Sequence, residues 1–180
     1  MIAFITGGAK NGKSSYAQTL ALSLAAGGPH YYIATMIPVD EEDRERIRRH
    51  IADRDGMGFE TVECGRNILS CLSRVDRQGT FLLDSATALL MNELFLPPDW
   101  RIDTAAAERC ARELVEFAKS VKNIVIVSDY IYSDAERYDE VTEIYRKGLA
   151  EIDRALAEAS DLVLEISAGN RIVHKGVLPL

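Results

Sequence analysis

A glycine-rich segment between an apolar run and a helical pattern is the strongest constraint on how this chain folds. Residues 7–14 read "GGAKNGKS", which matches the pattern G-x-x-x-x-G-K-S. Glycines at this spacing let backbone N–H groups turn towards a polyphosphate, and the helix that follows presents the positive end of its dipole. The segment predicts a phosphate-binding loop in which Lys13 reaches the β- and γ-phosphates and Ser14 ligates Mg2+. A glycine-rich turn that binds nothing is the alternative.

Short apolar runs alternate with helical patterns along the chain. The predicted strands are residues 2–6, 31–35, 59–63, 80–84, 123–128 and 162–166. The predicted helices are residues 13–26, 41–54, 85–95, 104–121 and 135–159. This order predicts one α/β domain over residues 1–180, P-loop NTPase-like, with a mostly parallel sheet flanked by helices. Residues 169–176 predict a last strand that forms an antiparallel C-terminal edge hairpin, and Pro97 and Pro98 predict a surface loop.

Composition limits which binding partners and which cellular compartment we expect. The formal net charge is -7, so no basic stripe is available for nonspecific binding of nucleic acid. Cys64, Cys71 and Cys110 are odd in number and lack C-x-x-C spacing, as expected for reduced thiols in a cytoplasmic protein. We expect neither a signal peptide nor a membrane span, because no basic n-region precedes the first apolar run and no apolar run approaches 18 residues.

Polar residues at the ends of predicted strands are further site candidates. Asp84 ends the run "TFLLD", where it would hold Mg2+ or a water bound to it, or would cap the next helix. Ser128 and Asp129 follow a later strand and reach the same edge of the sheet. Tyr130 and Tyr132 would stack on a flat ligand or pack within their loop.

The charged segment 40–54, "DEEDRERIRRHIADR", contains a further candidate, His50. A solvated helix with ion pairs three or four residues apart explains most of this segment without any function. His50 is then a surface histidine among arginines, or a chemical group beside an anionic ligand.

Several blocks together resemble the adenosylcobinamide kinase/adenosylcobinamide-phosphate guanylyltransferase family, which assembles the nucleotide loop of cobalamin. The blocks are "TGGAKNGKS", "YIAT", "RIRRH" followed by Arg54, "TVE", "LLD", "VSD" and "LAEIDRALAEASDLVLEISAG". They cover essentially the whole chain, and their order and spacing are far more specific than the phosphate-binding loop alone.

The resemblance implies a two-step enzyme. A nucleoside triphosphate, ATP or GTP, phosphorylates adenosylcobinamide; a histidine then accepts GMP from GTP and passes it to the cobinamide phosphate. That histidine corresponds to His50, and Lys13 is the other implied catalytic residue. The resemblance also implies a P-loop kinase-like fold, a homotrimer and Mg2+ held by Ser14 and Asp84. The implied nucleotide-binding residues are Gly7, Gly8, Ala9, Lys10, Asn11, Gly12, Lys13, Ser14, Ser15, Ala34, Thr35, Met36, Ile51, Ala52, Asp53, Glu63 and Asp84.

The chain departs from the family pattern at four places. The family usually has glutamate at Asp84, tryptophan at Phe59, an Asn-Glu-Val-Gly block at "DYIY" (residues 129–132), and often asparagine at Asp153. The changed loop keeps two alternatives open. One is a relative with a single activity or another small-molecule acceptor, and the other is a nucleotide-binding protein without catalysis.

Overall fold

A seven-stranded sheet forms the centre of the protein. The structure is a computed structural model that describes residues 1–132 and 136–179. The strands are β1 (Ile2–Thr6), β2 (His30–Ala34), β3 (Glu60–Glu63), β4 (Thr80–Asp84), β5 (Phe95–Leu96), β6 (Arg101–Ile102), β7 (Asn123–Val127), β8 (Leu162–Ser167) and β9 (Asn170–Lys175). The order in the large sheet is β3-β2-β4-β7-β1-β8-β9, and β5 and β6 form a separate small hairpin.

The pairing of the strands confirms the predicted fold class. β1 pairs in parallel with both β7 and β8, and β4 pairs in parallel with both β2 and β7. β9 pairs antiparallel with β8 and forms the predicted edge hairpin. The inner strands are almost wholly buried, which is why they read as continuous apolar runs and not as alternating ones.

Helices cover both faces of this sheet. They are α1 (Lys13–Ala25), α2 (Glu41–Asp53), α3 (Ala86–Leu94), α4 (Ala106–Ser120) and α5 (Glu140–Ala159). Successive strand residues point to opposite faces, so Phe4 joins the core beneath α3, α4 and α5, whereas Ile5 joins the core beneath α1. No side chain of α2 is buried. Among the described residues, none of the helices has the length and apolarity that crossing a membrane requires.

The predicted boundaries differ from the observed ones mainly at loops. The helix predicted from residue 135 starts at Glu140, after Asp139, whose carboxylate accepts a hydrogen bond from the Thr142 amide at 3.0 Å. Its predicted first residue, Ala135, lies outside the described residues. The loop predicted around Pro97 and Pro98 contains the β5–β6 hairpin, and a 3-10 helix over Ile68–Ser73 was not predicted.

Two glycines of the phosphate-binding loop differ in the space around them. Gly7 has φ +152, and a Cβ there would collide with the backbone carbonyl of Ile166 on β8. Gly12, the residue that precedes α1, has φ +83, and a Cβ there would meet open space. Both conformations disfavour other residues, but only at Gly7 is there also a backbone obstacle.

We therefore expect Gly7→Ala to lower the free energy of unfolding more than Gly12→Ala does. Gly12→Ala should cost about 1–2 kcal/mol, the strain of a left-handed conformation, whereas Gly7→Ala adds a clash with the backbone carbonyl of Ile166 on β8, a strand that its pairing with β1 holds in place. Urea denaturation without nucleotide measures both variants. Equal losses would contradict the close approach of the loop to β8.

Candidate functional site

A cavity of about 1060 Å³ opens at the carboxyl ends of β1, β2 and β4. Its lining includes fourteen of the residues predicted from the sequence: Ala9, Lys10, Asn11, Gly12, Lys13, Ser14, Ser15, Ala34, Met36, His50, Ile51, Asp53, Glu63 and Asp84. We call it the phosphate-loop cavity. The structure therefore brings the glycine-rich loop, α2 and the ends of β2, β3 and β4 around one space.

Four predicted residues do not line this cavity. Gly7 and Gly8 lie at the start of the loop, and Ala52 is exposed on α2. Thr35 is fully buried, and its hydroxyl donates to the Ser85 carbonyl at 2.8 Å and accepts from the Ser85 amide at 2.7 Å. These hydrogen bonds join the end of β2 to the end of β4, so Thr35 supports the cavity wall although it does not line the cavity.

Lys13 is held in place at the first turn of α1. Its side chain is 5% exposed, and its Nζ donates to the Gly8 carbonyl at 2.7 Å and to Asp129 Oδ1 at 2.6 Å. The Asp129 amide donates to Thr87 Oγ1 at 2.9 Å. Sequence reasoning placed Asp129 at this edge of the sheet without giving it a role, and the structure makes it the partner of Lys13.

His50 faces a carboxylate at the end of β4. Its Nδ1 lies 3.7 Å from Asp84 Oδ2, and the same oxygen accepts a hydrogen bond from the Tyr32 hydroxyl at 3.0 Å. Burial and the neighbouring Asp84 carboxylate raise the pKa of Tyr32, so that the phenol stays protonated and donates. The His50 ring therefore presents Nδ1 to the Asp84 carboxylate.

Arginines surround His50 on and after α2. Arg54 donates to the His50 carbonyl at 2.6 Å, and its guanidinium lies 4.1 Å from the centre of the Tyr32 ring. Arg48 is paired with Glu41 and Glu45. Arg46 and Arg49 also line the cavity and form no ion pair with the residues that the structure describes. Their charges are available to an anion.

Ser14 and Asp84 line the same cavity, as a shared magnesium site requires. Helix α3 is capped by Ser85, whose hydroxyl accepts from the Ala88 amide at 3.3 Å, so the capping role considered for Asp84 falls to its neighbour. Residues 1–132 and 136–179 contain no cluster of three or more His, Cys, Asp or Glu side chains suited to a metal. Mg2+ bound to a nucleotide needs no such cluster, because phosphates and waters supply most ligands.

The two tyrosines of the changed loop are anchored away from the cavity. Tyr130 donates to Glu165 Oε1 at 3.1 Å, and Tyr132 donates to Asp153 Oδ2 at 2.8 Å. Neither ring lines the phosphate-loop cavity. Of the two interpretations from the sequence, these contacts with β8 and α5 favour packing of the loop over stacking on a ligand.

Comparisons with known proteins agree over almost the full chain. A model of the family described as cobinamide kinase / cobinamide phosphate guanyltransferase matches residues 3–173. A bifunctional adenosylcobalamin biosynthesis protein of Salmonella typhimurium is 25% identical in an alignment of 181 positions that covers 94% of this chain and 97% of that protein.

Solved structures with low sequence identity share the fold. An ATPase domain matches with a TM-score of 0.55 at 13% identity, over 97% of this chain and 76% of that one. A KaiC-like protein of Pyrococcus horikoshii matches with a TM-score of 0.51 at 14% identity, over 97% and 78%. The architecture is P-loop NTPase-like.

Asp153, which contacts Tyr132 in the loop of residues 129–132, makes the free energy of unfolding depend on pH. Burial raises the pKa of this carboxyl from 3.8 to about 6, and the nearby Asp129 adds to the rise, although the Ser128 and Tyr132 hydroxyls oppose it. The folded state therefore binds a proton more tightly than the unfolded state does. This contribution to stability is complete below about pH 4 and is lost as the pH rises through 6.

We expect Asp153→Asn to remove this dependence. Relative to the variant, the wild-type protein should lose about 3 kcal/mol of unfolding free energy between pH 4 and pH 7, the equivalent of a shift of about two pKa units. Urea denaturation at a series of pH values gives the difference. Asp55→Asn, at an exposed carboxylate after α2, is the matched control. A constant difference between wild type and Asp153→Asn would mean that Asp153 does not titrate in this range.

Proposed function

The chain belongs to the cobinamide kinase / cobinamide phosphate guanyltransferase family, and on that premise we propose that it carries out both reactions of cobalamin nucleotide-loop assembly. It phosphorylates adenosylcobinamide with ATP or GTP and then transfers GMP from GTP to the product through a guanylyl-histidine. One observation carries the proposal: His50, whose Nδ1 lies 3.7 Å from Asp84 Oδ2, lines the same cavity as the phosphate-binding loop.

In the kinase step, the loop and Lys13 bind the terminal phosphates. Amides of the loop and the first turn of α1 donate to phosphate oxygens, and Lys13 exchanges Asp129 for the triphosphate. These donors stabilise the negative charge that spreads over the transferred phosphoryl group. The acceptor hydroxyl attacks the γ-phosphorus, and the nucleoside diphosphate leaves.

In the guanylyl step, His50 is the nucleophile. Because His50 Nδ1 faces the Asp84 carboxylate at 3.7 Å, Nε2 is the nitrogen that attacks the α-phosphorus of GTP, and pyrophosphate leaves. Arg46 and Arg49 offset the charge of the departing phosphates. An oxygen of the cobinamide phosphate then attacks the phosphorus, the P–N bond breaks, and the neutral imidazole is restored.

Ser14 and Asp84 are the residues that would hold Mg2+. A hydroxyl and a carboxylate at one wall of the cavity fit an ion whose remaining ligands are phosphate oxygens and waters. The ion, when bound, neutralises phosphate charge.

A relative with one activity is the second candidate. The contact between Lys13 and Asp129 favours it, because this lysine must leave a carboxylate before it can bind a γ-phosphate. Such a protein would accept GMP on His50 and lack the kinase step, which an assay of adenosylcobinamide phosphorylation decides.

We expect GTP labelled at the α-phosphate to leave its label on the protein when Mg2+ is present, whereas γ-labelled GTP leaves none. The bond to imidazole is a phosphoramidate, so the label should be lost in acid and retained in base. His50→Ala should abolish labelling while GTP still binds, because the loop supplies most of the phosphate affinity.

The matched control for His50 is His174→Ala. His174 is exposed and contacts Glu165 at 2.9 Å, whereas both ring nitrogens of His30 lie near backbone carbonyls, so its removal disturbs packing. Normal labelling of His50→Ala would rule out the covalent mechanism.

The proposal extends to assembly and location. The resemblance to the family implies a homotrimer, and the three cysteines, all free and buried, fit a reducing compartment such as the cytoplasm. Light scattering at micromolar concentration should give three times the mass of one chain. A monomer under these conditions would exclude the trimer.

A further inference from the structure

A second cavity, of about 710 Å³, lies beside the phosphate-loop cavity. Its walls are the chain after β2, one face of α3 and the β5–β6 hairpin, which the sequence had indicated only as a loop. Large apolar side chains dominate these walls: Met36, Ile37, Val39, Met91, Phe95, Pro97 and Trp100. We call it the apolar cavity.

The two cavities share a wall. Met36, Ile37, Arg46, Ser85, Ala88 and Asp129 line both of them. Asp129 on this wall contacts Lys13 at 2.6 Å, and Lys13 is the residue that reaches the terminal phosphates in loops of this kind. A molecule in the apolar cavity therefore has one end next to the phosphates of a nucleotide in the other cavity.

The rim of the apolar cavity exposes side chains that soluble proteins usually bury. Val39 is 63% exposed, Trp100 57% and Met91 44%. Single exposed apolar residues are common, but a group of them around one concave surface indicates a binding site. The continuity of this surface with the phosphate-loop cavity points to a small-molecule substrate that reacts there.

We propose that the apolar cavity binds the acceptor substrate of both transfer steps, a large amphiphilic alcohol and then its phosphate monoester, with the reacting end at the shared wall. The proposal rests on the proposed function. Trp100 and Met91 contact the apolar body of either acceptor. Arg46, which forms no ion pair with the described residues, binds the phosphate of the monoester.

One orientation of the acceptor serves both steps. In the first, the hydroxyl oxygen bonds to the γ-phosphorus, the bond from that phosphorus to the β–γ bridging oxygen breaks, and the hydroxyl proton goes to solvent. In the second, a monoester oxygen bonds to the phosphorus of guanylylated His50, and the P–N bond breaks. Arg46 lines both cavities, so it contacts the monoester at the place where the first step produces it.

The test measures both transfer steps with adenosylcobinamide and its phosphate, using Trp100→Ala, Met91→Ala and Arg46→Gln. Trp100→Ala and Met91→Ala should each raise KM about tenfold for both acceptors with little change in kcat, because contacts to the apolar body hold ground state and transition state equally. Arg46→Gln should raise KM about tenfold for the phosphate alone, since it removes one charge-assisted hydrogen bond.

Guanylylation of His50 by GTP alone needs no acceptor, so it reports whether Trp100→Ala and Met91→Ala are folded and bind nucleotide. It should proceed at the wild-type rate in Trp100→Ala and Met91→Ala. Two controls lie outside both cavities: Val177→Ala, at an apolar residue that is 83% exposed, and Arg112→Gln, at an exposed arginine of α4. Both should keep the wild-type KM.

The outcomes separate this proposal from the proposed function. If wild type transfers both groups and Trp100→Ala and Met91→Ala keep its KM, the acceptor binds elsewhere and the proposal is wrong, although the proposed function stands. If these variants lose the oligomeric state while KM is unchanged, the rim forms contacts between copies of the chain, and the proposal is again wrong. If wild type acts on neither acceptor, the proposed function fails and the acceptor site fails with it.

Discussion

Parallel pairing of β2, β4, β7 and β1 is the constraint on which the site depends. The register aligns Ala34 with Asp84, Asp84 with Val127, and Ile5 with Val127. Each strand therefore ends at the same level, and the residues that follow meet at one edge although they are up to about 120 positions apart in sequence. The hydrogen bonds between Thr35 and Ser85 fix two of these ends to each other. This alignment places Asp84, at the end of β4, at the edge of the sheet where His50 faces it.

The phosphate-loop cavity is lined by several basic side chains, although the chain as a whole is acidic. The formal net charge is -7, yet the phosphate-loop cavity collects Lys13, Arg46 and Arg49. On α2, Glu41 of the first turn pairs with both Arg44 and Arg48, whereas Arg46 and Arg49 form no ion pair with the residues that the structure describes. A helix without buried side chains gains little from packing. The core therefore contributes little to its position over the cavity.

The central strands and helices could be predicted from the sequence because their signal is local. β1 and β4 have the predicted boundaries, since apolar runs flanked by polar residues mark buried strands. The hairpin that brings Trp100 to the same cavity as Met91 could not be predicted, because its two-residue strands have no periodicity and depend on packing of β5 against α3. The pairing of Lys13 with Asp129 joins residues 116 positions apart, so it depends on strand order, which a single sequence does not encode locally. The single-domain assignment for residues 1–180 and the ligand roles of the site residues stay predictions.

The hydrogen bond from Tyr32 gives a physical reason for aspartate at position 84. The family that the sequence resembles usually has glutamate at this position. Aspartate is shorter by one methylene, so its carboxylate stays close to the end of β4. The Tyr32 hydroxyl, on the adjacent strand β2, reaches that carboxylate at 3.0 Å, and the Arg54 guanidinium covers the Tyr32 ring. Arg54 also binds the His50 carbonyl, so one chain of contacts links the carboxylate, the phenol and the helix that carries the histidine. The shorter side chain therefore keeps Oδ2 within hydrogen-bonding distance of the Tyr32 hydroxyl and 3.7 Å from His50 Nδ1.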